Sequence, residues 1–201
     1  MSEPSSSLPD TLARLRALIT EKGLDEKSVL DVARLSRQAL LSEAEVGALL
    51  AGLQLADTGS PEEVVKGRVK QRLPRVYQAY LESQRVTFPD GIRTLEAKLH
   101  CSGAWARQLV GGSKVPSVGH LSVLAEFFKL DERLLTGAPT DNLNRVLQPY
   151  LQRLDTRDPI ADLMTEYGLA DISYRRRVAG LAPDRRELLA NVIKSVLESE
   201  R

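Results

Sequence analysis

The sequence predicts an all-α fold, and three observations carry that prediction. Apolar residues recur at helical spacing along most of the chain, whereas period-2 alternation is hard to find. Ser and Asp precede many of these stripes, and Gly closes several, as helix starts and stops require. The 201 residues are 42% hydrophobic and 27% charged, ordinary for a globular chain. That length suits one or two domains and a sizeable core without disulfide staples.

Each element is justified by its own residues. Leu12, Leu15, Leu18 and Ile19, with Ala17 weakly, form a first stripe closed by Gly23. A second helix is expected from Asp25 to Ala39. A third opens at Ser42, carries Glu43 and Glu45 in its first turn, and stops at Gly52. Residues 56–61 (ADTGSP) are a turn cluster and a candidate boundary. Helix resumes near Glu62 and runs to about Ser83, bent or interrupted at Pro74. Residues 87–91 (TFPDG) read as another break. Short helices continue through Leu135, and residues 136–142 (TGAPTDN) read as a linker. Further helices are expected near 142–154, 158–167 and 171–179, and a longer one begins at Pro183 after Gly180. These breaks divide the chain into an N-terminal unit (1–60), a middle domain (61–137) and a C-terminal region (138–201).

Composition excludes several function classes. No apolar run approaches the ~18–20 residues of a membrane helix. MSEPSSSLPD has neither a basic nor an apolar leader region, and a single cysteine makes no internal disulfide, so a cytoplasmic protein is expected. No G-x-G-x-x-G, Walker loop, G-x-S-x-G or HExxH occurs, so no enzymatic activity and no cofactor are expected. His100, Cys101 and His120 are all the His and Cys present, fewer than the four ligands of a structural zinc, so no metal is expected.

The net charge of +1 conceals an uneven distribution. Residues 1–60 carry six basic and nine acidic side chains, residues 61–137 twelve and eight, and residues 138–201 ten of each. Lys66, Arg68, Lys70, Arg72 and Arg75 fall within ten residues that hold no acid. Such a run is either a solvated helix face or a phosphate-contacting surface.

The segment downstream of that run favours phosphate. Residues 92–99 form a short helix, 100–101 a tight turn, and a second helix opens at Ser102 and ends at Gly111-Gly112. A loop with Lys114 and Pro116 leads to a third helix, Ser117 to Lys129, with Val118, Leu121, Leu124, Ala125 and Phe128 apolar. Leu95, Leu99, Ala106 and Leu109 can share one core. This is the spacing of a helix-turn-helix whose second helix is free to enter a major groove. Its outward positions are Gly103, Ala104, Arg107 and Gln108. Arg and Gln pair bidentately with guanine and adenine edges, at about 1–3 kcal/mol of discrimination each. Ser102, Ser113 and Lys114 flank the helix where phosphates are commonly held, and Arg93 and Thr94 start the preceding helix.

Leu95, Leu99, Ser102, Trp105, Leu109, Gly112, Pro116, Ser117, Leu121, Leu124, Ala125 and the LDERLLTG end (130–137) resemble the lambda-repressor/Cro-like (XRE) helix-turn-helix family. The resemblance covers about residues 88–137. It implies a recognition helix at 102–111 and base contacts from the positions of Gly103, Ala104, Arg107 and Gln108. The chain departs from that pattern in the small Gly103 and Ala104, which imply few base contacts, and in His100 at the customary turn glycine. With the tail DISYRRRVAGLAPDRRELLANVIKSVLE, residues 65–200 are also similar to mycobacterial EspR-type nucleoid-associated regulators. That resemblance implies C-terminal dimerisation and a broad regulatory role on DNA in the nucleoid.

Two further patterns stand outside that module. Shifted by 60 positions, Ser42, Ala44, Leu49 and Gly52 coincide with Ser102, Ala104, Leu109 and Gly112, and Leu35 with Leu95. The N-terminal unit is thus either a degenerate second helix-turn-helix, its Glu43 and Glu45 repelling phosphate and its surface serving protein contact, or a chance likeness of two amphipathic helices. Leu188, Leu189, Val192, Ile193, Val196 and Leu197 form a continuous helical stripe, either internal core or, the favoured reading, a homodimer seam. Arg175, Arg176 and Arg177 are a solvated face or a contact to DNA or an acidic partner. Trp105 is expected to be half-buried. The expected function is therefore a dimeric double-stranded DNA-binding transcriptional regulator. A helix-turn-helix adaptor without DNA binding, and a ligand-sensing regulator, are the rivals.

Overall fold

A computed structural model of the chain describes residues 7–155 together with residues 185, 188, 189, 191 and 192. The regular elements among them are all helical: α1 Leu8–Glu21, α2 Glu26–Val29, α3 Val32–Ala39, α4 Glu43–Leu50, α5 Pro61–Gln84, α6 Phe88–Leu99, α7 Gly103–Val110, α8 Val118–Phe128, α9 Glu132–Thr136 and α10 Pro139–Asp155. The chain forms two compact units, Met1–Leu151 and Gln152–Arg201. The helices expected at 158–167 and 171–179 lie outside the described residues, as do Arg175 to Arg177. No helix among the described residues is long and apolar enough to cross a membrane.

Local chemistry sets the helix starts. Each of α1 to α9 opens on a Ser, Thr or Asp whose side chain accepts a first-turn amide. Such a cap contributes about 1 kcal/mol and satisfies an amide with no intrahelical partner. Ser42 and Ser60 complete full capping boxes with Glu45 and Glu63.

Three sequence expectations need correction, and a fourth is narrowed. The helix expected from Asp25 to Ala39 is two, because Asp31 caps the Arg34 amide at 2.6 Å and starts α3 afresh. Residues 88–91 are not a break: Thr87 is the cap, Pro89 lies in the first turn, and α6 is already under way. Of the two alternatives at Pro74, interruption is ruled out, since α5 continues through it. The 136–142 stretch is no linker either, since α9 runs to Thr136 and α10 begins at Pro139.

α5 is the spine of the middle region. Its Leu73, Tyr77 and Leu81 share a core with Ile92, Leu95 and Leu99 of α6, Ala106, Leu109 and Val110 of α7, and Leu124 of α8. Tyr77 donates to the Phe88 carbonyl at 2.9 Å, and burial pushes its pKa up to about 12. Position 91 has no room for a side chain, since a Cβ there would stand 2.5 Å from the Tyr77 hydroxyl and 2.7 Å from Leu81 Cδ2.

Arg72 joins α5 to the end of α9. It is 3% exposed, and its Nη1 donates to the carbonyls of Leu134 (3.0 Å), Leu135 (3.1 Å) and Gly137 (2.8 Å). A cation is well placed at a helix C-terminus, where unpaired carbonyls gather partial negative charge. Burial, with Arg68 beside it, lowers its pKa to about 10, so it remains charged at neutral pH.

α10 ties the N-terminal helices to the rest of the first unit. Buried Asn142 donates to the carbonyls of Ala39 (3.1 Å) and Leu134 (2.7 Å). Gln148 donates to Thr11 at 3.0 Å, and Tyr150 donates to Gln38 at 2.9 Å while Arg34 lies over its ring. Sequence could not reveal Asn142, because a polar residue in a Pro-Thr-Asp context ordinarily signals a turn.

Candidate nucleic-acid interface

The site is built on α6, a two-residue turn and α7. His100 ends α6 in the left-handed conformation (φ 49°), and the Cys101 amide donates back to the Glu96 carbonyl at 3.3 Å. Ser102 then caps α7, its hydroxyl accepting the Trp105 amide at 3.3 Å. Leu95, Leu99, Ala106 and Leu109 are buried together, as expected. Trp105 is half-buried and meets His120 at a tilt, with ring centroids 4.9 Å apart and planes at 56°.

The far end of α7 is held by a close backbone approach. Pro74 has no amide to offer the Lys70 carbonyl, one turn earlier in α5. That oxygen lies against Gly112 instead: a Cβ there would stand 2.4 Å from it. Gly112 also takes φ 72°, which L side chains rarely adopt. The proline expected to bend or interrupt α5 thus helps to dock α7.

This arrangement gathers some of the expected residues and disperses others. Ala104, Arg107, Gln108, Ser113 and Lys114 are exposed on α7 and the segment after it. Among the described residues, Arg107, Gln108 and Lys114 have no side-chain hydrogen bond or ion pair. The amides of Ser113 and Lys114 both turn back to the Gln108 carbonyl, at 2.9 and 3.2 Å. Lys70 is exposed on α5, its backbone against Gly112. Lys66, one turn earlier, is exposed but pairs with Glu62 at 2.6 Å. Arg93 pairs with Asp90 at 2.6 Å, and the Thr94 hydroxyl donates to the Asp90 carbonyl at 3.0 Å.

One placement corrects the sequence reading. Arg68 does not face solvent as a phosphate contact: it bonds Asp57 at 2.5 Å and the Thr136 carbonyl at 3.2 Å. Gly103 is half-buried, and a Cβ there would stand 2.4 Å from the Glu96 carboxylate. Glu96 is the residue that sequence reasoning missed. Its one available signal is a glycine in the first turn of a helix, where better helix formers usually stand. Val118 also departs from its expected apolar packing and is 79% exposed.

His100, Cys101 and His120 do not converge, and no metal-binding cluster is present among the described residues. Burial, followed by the Glu96 charge, pushes the Cys101 thiol pKa up, which disfavours the thiolate.

The same backbone course occurs 60 residues earlier. Leu40 ends α3 at φ 57°, as His100 ends α6. The Leu41 amide donates to the Ser36 carbonyl at 3.1 Å, matching Cys101 and Glu96. Gly52 (φ 79°) matches Gly112, and the bond from Leu53 to Ala48 (2.9 Å) matches that from Ser113 to Gln108 (2.9 Å). The surfaces differ. Glu45 of α4 lies 3.9 Å from Arg75 of α5, and Arg75 also donates to the Leu40 carbonyl at 3.4 Å. Arg16 of α1 donates to the Leu50 carbonyl at 2.8 Å.

In the second unit, Leu188 and Val192 are helical and 68% and 51% exposed, while Leu189 is half-buried. Ile193, Val196 and Leu197 lie outside the described residues. The chain matches no family model, no curated protein and no solved structure.

Proposed function

We propose that this protein is a double-stranded DNA-binding transcriptional regulator that acts as a dimer. α6 and α7 form its helix-turn-helix, and α7 is the helix that enters the major groove. One observation carries this reading. α7 displays Arg107 and Gln108 on an exposed surface, unpaired among the described residues, and Lys114 lies just beyond them. An arginine and a glutamine side by side match guanine and adenine edges. Lys70, Ser113 and Lys114 supply backbone contacts. The exposed Leu188 and Val192, one helical turn apart, support a seam between two copies. Pairing there would present two reading helices about 34 Å apart, one turn of DNA. The nucleoid is the corresponding location.

Fluorescence anisotropy with labelled duplexes tests this. The wild-type chain should bind with an affinity that falls as salt rises, and saturate at two chains per duplex. The double variant Arg107→Ala, Gln108→Ala should weaken binding at least tenfold to the best duplex. Absence of any salt-dependent binding would overturn the reading and favour an interaction adaptor.

A further inference from the structure

We propose that Glu96 keeps DNA phosphate away from the N-terminus of α7, so that affinity depends on Arg107 and Gln108. The inference rests on the DNA-binding reading and names the residue that tunes it.

Glu96 lies in the last turn of α6 and is half-buried. Among the described residues no side chain pairs with its carboxylate. Both its oxygens lie beside the first residue of α7: a Cβ on Gly103 would be 2.4 Å from Oε1 and 3.3 Å from Oε2. A helix N-terminus carries partial positive charge and free amides, and ordinarily attracts an anion. α7 has no acid of its own in its first turn, and the Glu96 carboxylate of the neighbouring helix is the anion that stands beside it. Glycine at 103 leaves room for it. The earlier helix pair handles the same place differently. There Ser36 stands for Glu96 and Glu43 for Gly103, so the acid belongs to the helix itself.

The consequence is electrostatic. A backbone phosphate approaching Ser102 meets a carboxylate already in place, and like charges at contact distance repel. Arg107 and Gln108 lie farther along α7 and remain free to meet bases. Discrimination rises because the sequence-independent part of the affinity is reduced.

The test uses the full-length protein as wild type, Glu96→Gln and Gly103→Ala, each checked for folding by circular dichroism. Affinities for an A·T-only and a G·C-rich duplex are measured by anisotropy at several salt concentrations. Glu96→Gln should bind both duplexes several-fold more tightly. Its plot of log affinity against log salt should steepen by about 0.9, the increment of one added phosphate contact. Gly103→Ala, which forces the carboxylate aside, should shift affinity the same way by less. Unchanged or weaker binding by Glu96→Gln overturns the proposal. Weakening confined to the G·C-rich duplex would instead make Glu96 a reader of the cytosine amine. If the wild type and Glu96→Gln both fail to bind at low salt, the DNA-binding reading falls with it. If the wild type binds and Arg107→Ala, Gln108→Ala does not, that reading stands whatever Glu96→Gln does.

Discussion

α3–α4 and α6–α7 trace one backbone course and present opposite surfaces. Both pairs turn through a left-handed non-glycine residue, Leu40 or His100, and both second helices start on a serine cap and end before a left-handed glycine. Leu35 and Leu95 are fully buried at equivalent positions, as are Val46 and Ala106. The differences lie in residues that do not determine the fold. α4 places acids in its first turn and engages Arg75 and Arg16 of its own chain. α7 has no first-turn acid and leaves Arg107 and Gln108 exposed. The residues that make the shape and the residues that set the surface occupy separate positions, so one shape can be kept while its surface is respecified.

Substitution can break or sharpen this comparison, and the largest effects belong to the shared core. Leu35→Ala and Leu95→Ala should each cost about 2–5 kcal/mol in denaturant unfolding, because each empties a fully buried site. A near-zero cost at either position would mean that the two pairs are not equivalent cores.

The glycines that end α4 and α7 should separate the pairs more sharply. At Gly52 a Cβ meets nothing within 4 Å, so Gly52→Ala should cost only the left-handed conformation, about 1 kcal/mol. At Gly112 the Lys70 carbonyl stands 2.4 Å from the added atom. Gly112→Ala should therefore cost about 2–4 kcal/mol, with collision added to conformation. Equal costs would show that α7 is not docked on α5 as described.

The smallest effect is on acid stability. Burial pushes the Glu45 pKa up, but hydrogen bonds from the Ser42 hydroxyl and amide, with Arg75 and Arg72 nearby, outweigh it and leave a net lowering from 4.5. A carboxylate lowered in the folded state stabilises the fold above its unfolded pKa, and that contribution is lost as pH falls through the folded value. Unfolding midpoints tracked below pH 4.5 should therefore decline less steeply in Glu45→Gln than in the wild type. Identical slopes would remove any role for Glu45 in stabilising α4.

Much of this is legible in the residues. Serine caps and terminal glycines mark α4 and α7, and the 60-residue offset aligns them without any geometry. The core leucines are evident from helical spacing. The features that escape sequence reading depend on contacts between distant segments. Arg68 and Arg72 belong to the same basic run as Lys66 and Lys70, yet Arg72 is drawn into the end of α9 and Arg68 to Asp57 and Thr136. Pro74 reads only as a bend or a break until Gly112 is seen against the carbonyl it leaves free. Glu96 and Gly103 are seven positions apart on different helices, and the turn alone brings them together.

The most direct test asks which of the two look-alike helices meets DNA. Backbone amide shifts recorded while a short duplex is titrated into the full-length protein should change along Ser102–Lys114 and at Lys70, and remain still along Ser42–Leu53. Changes centred on α4, with α7 silent, would contradict the assignment of DNA reading to α7.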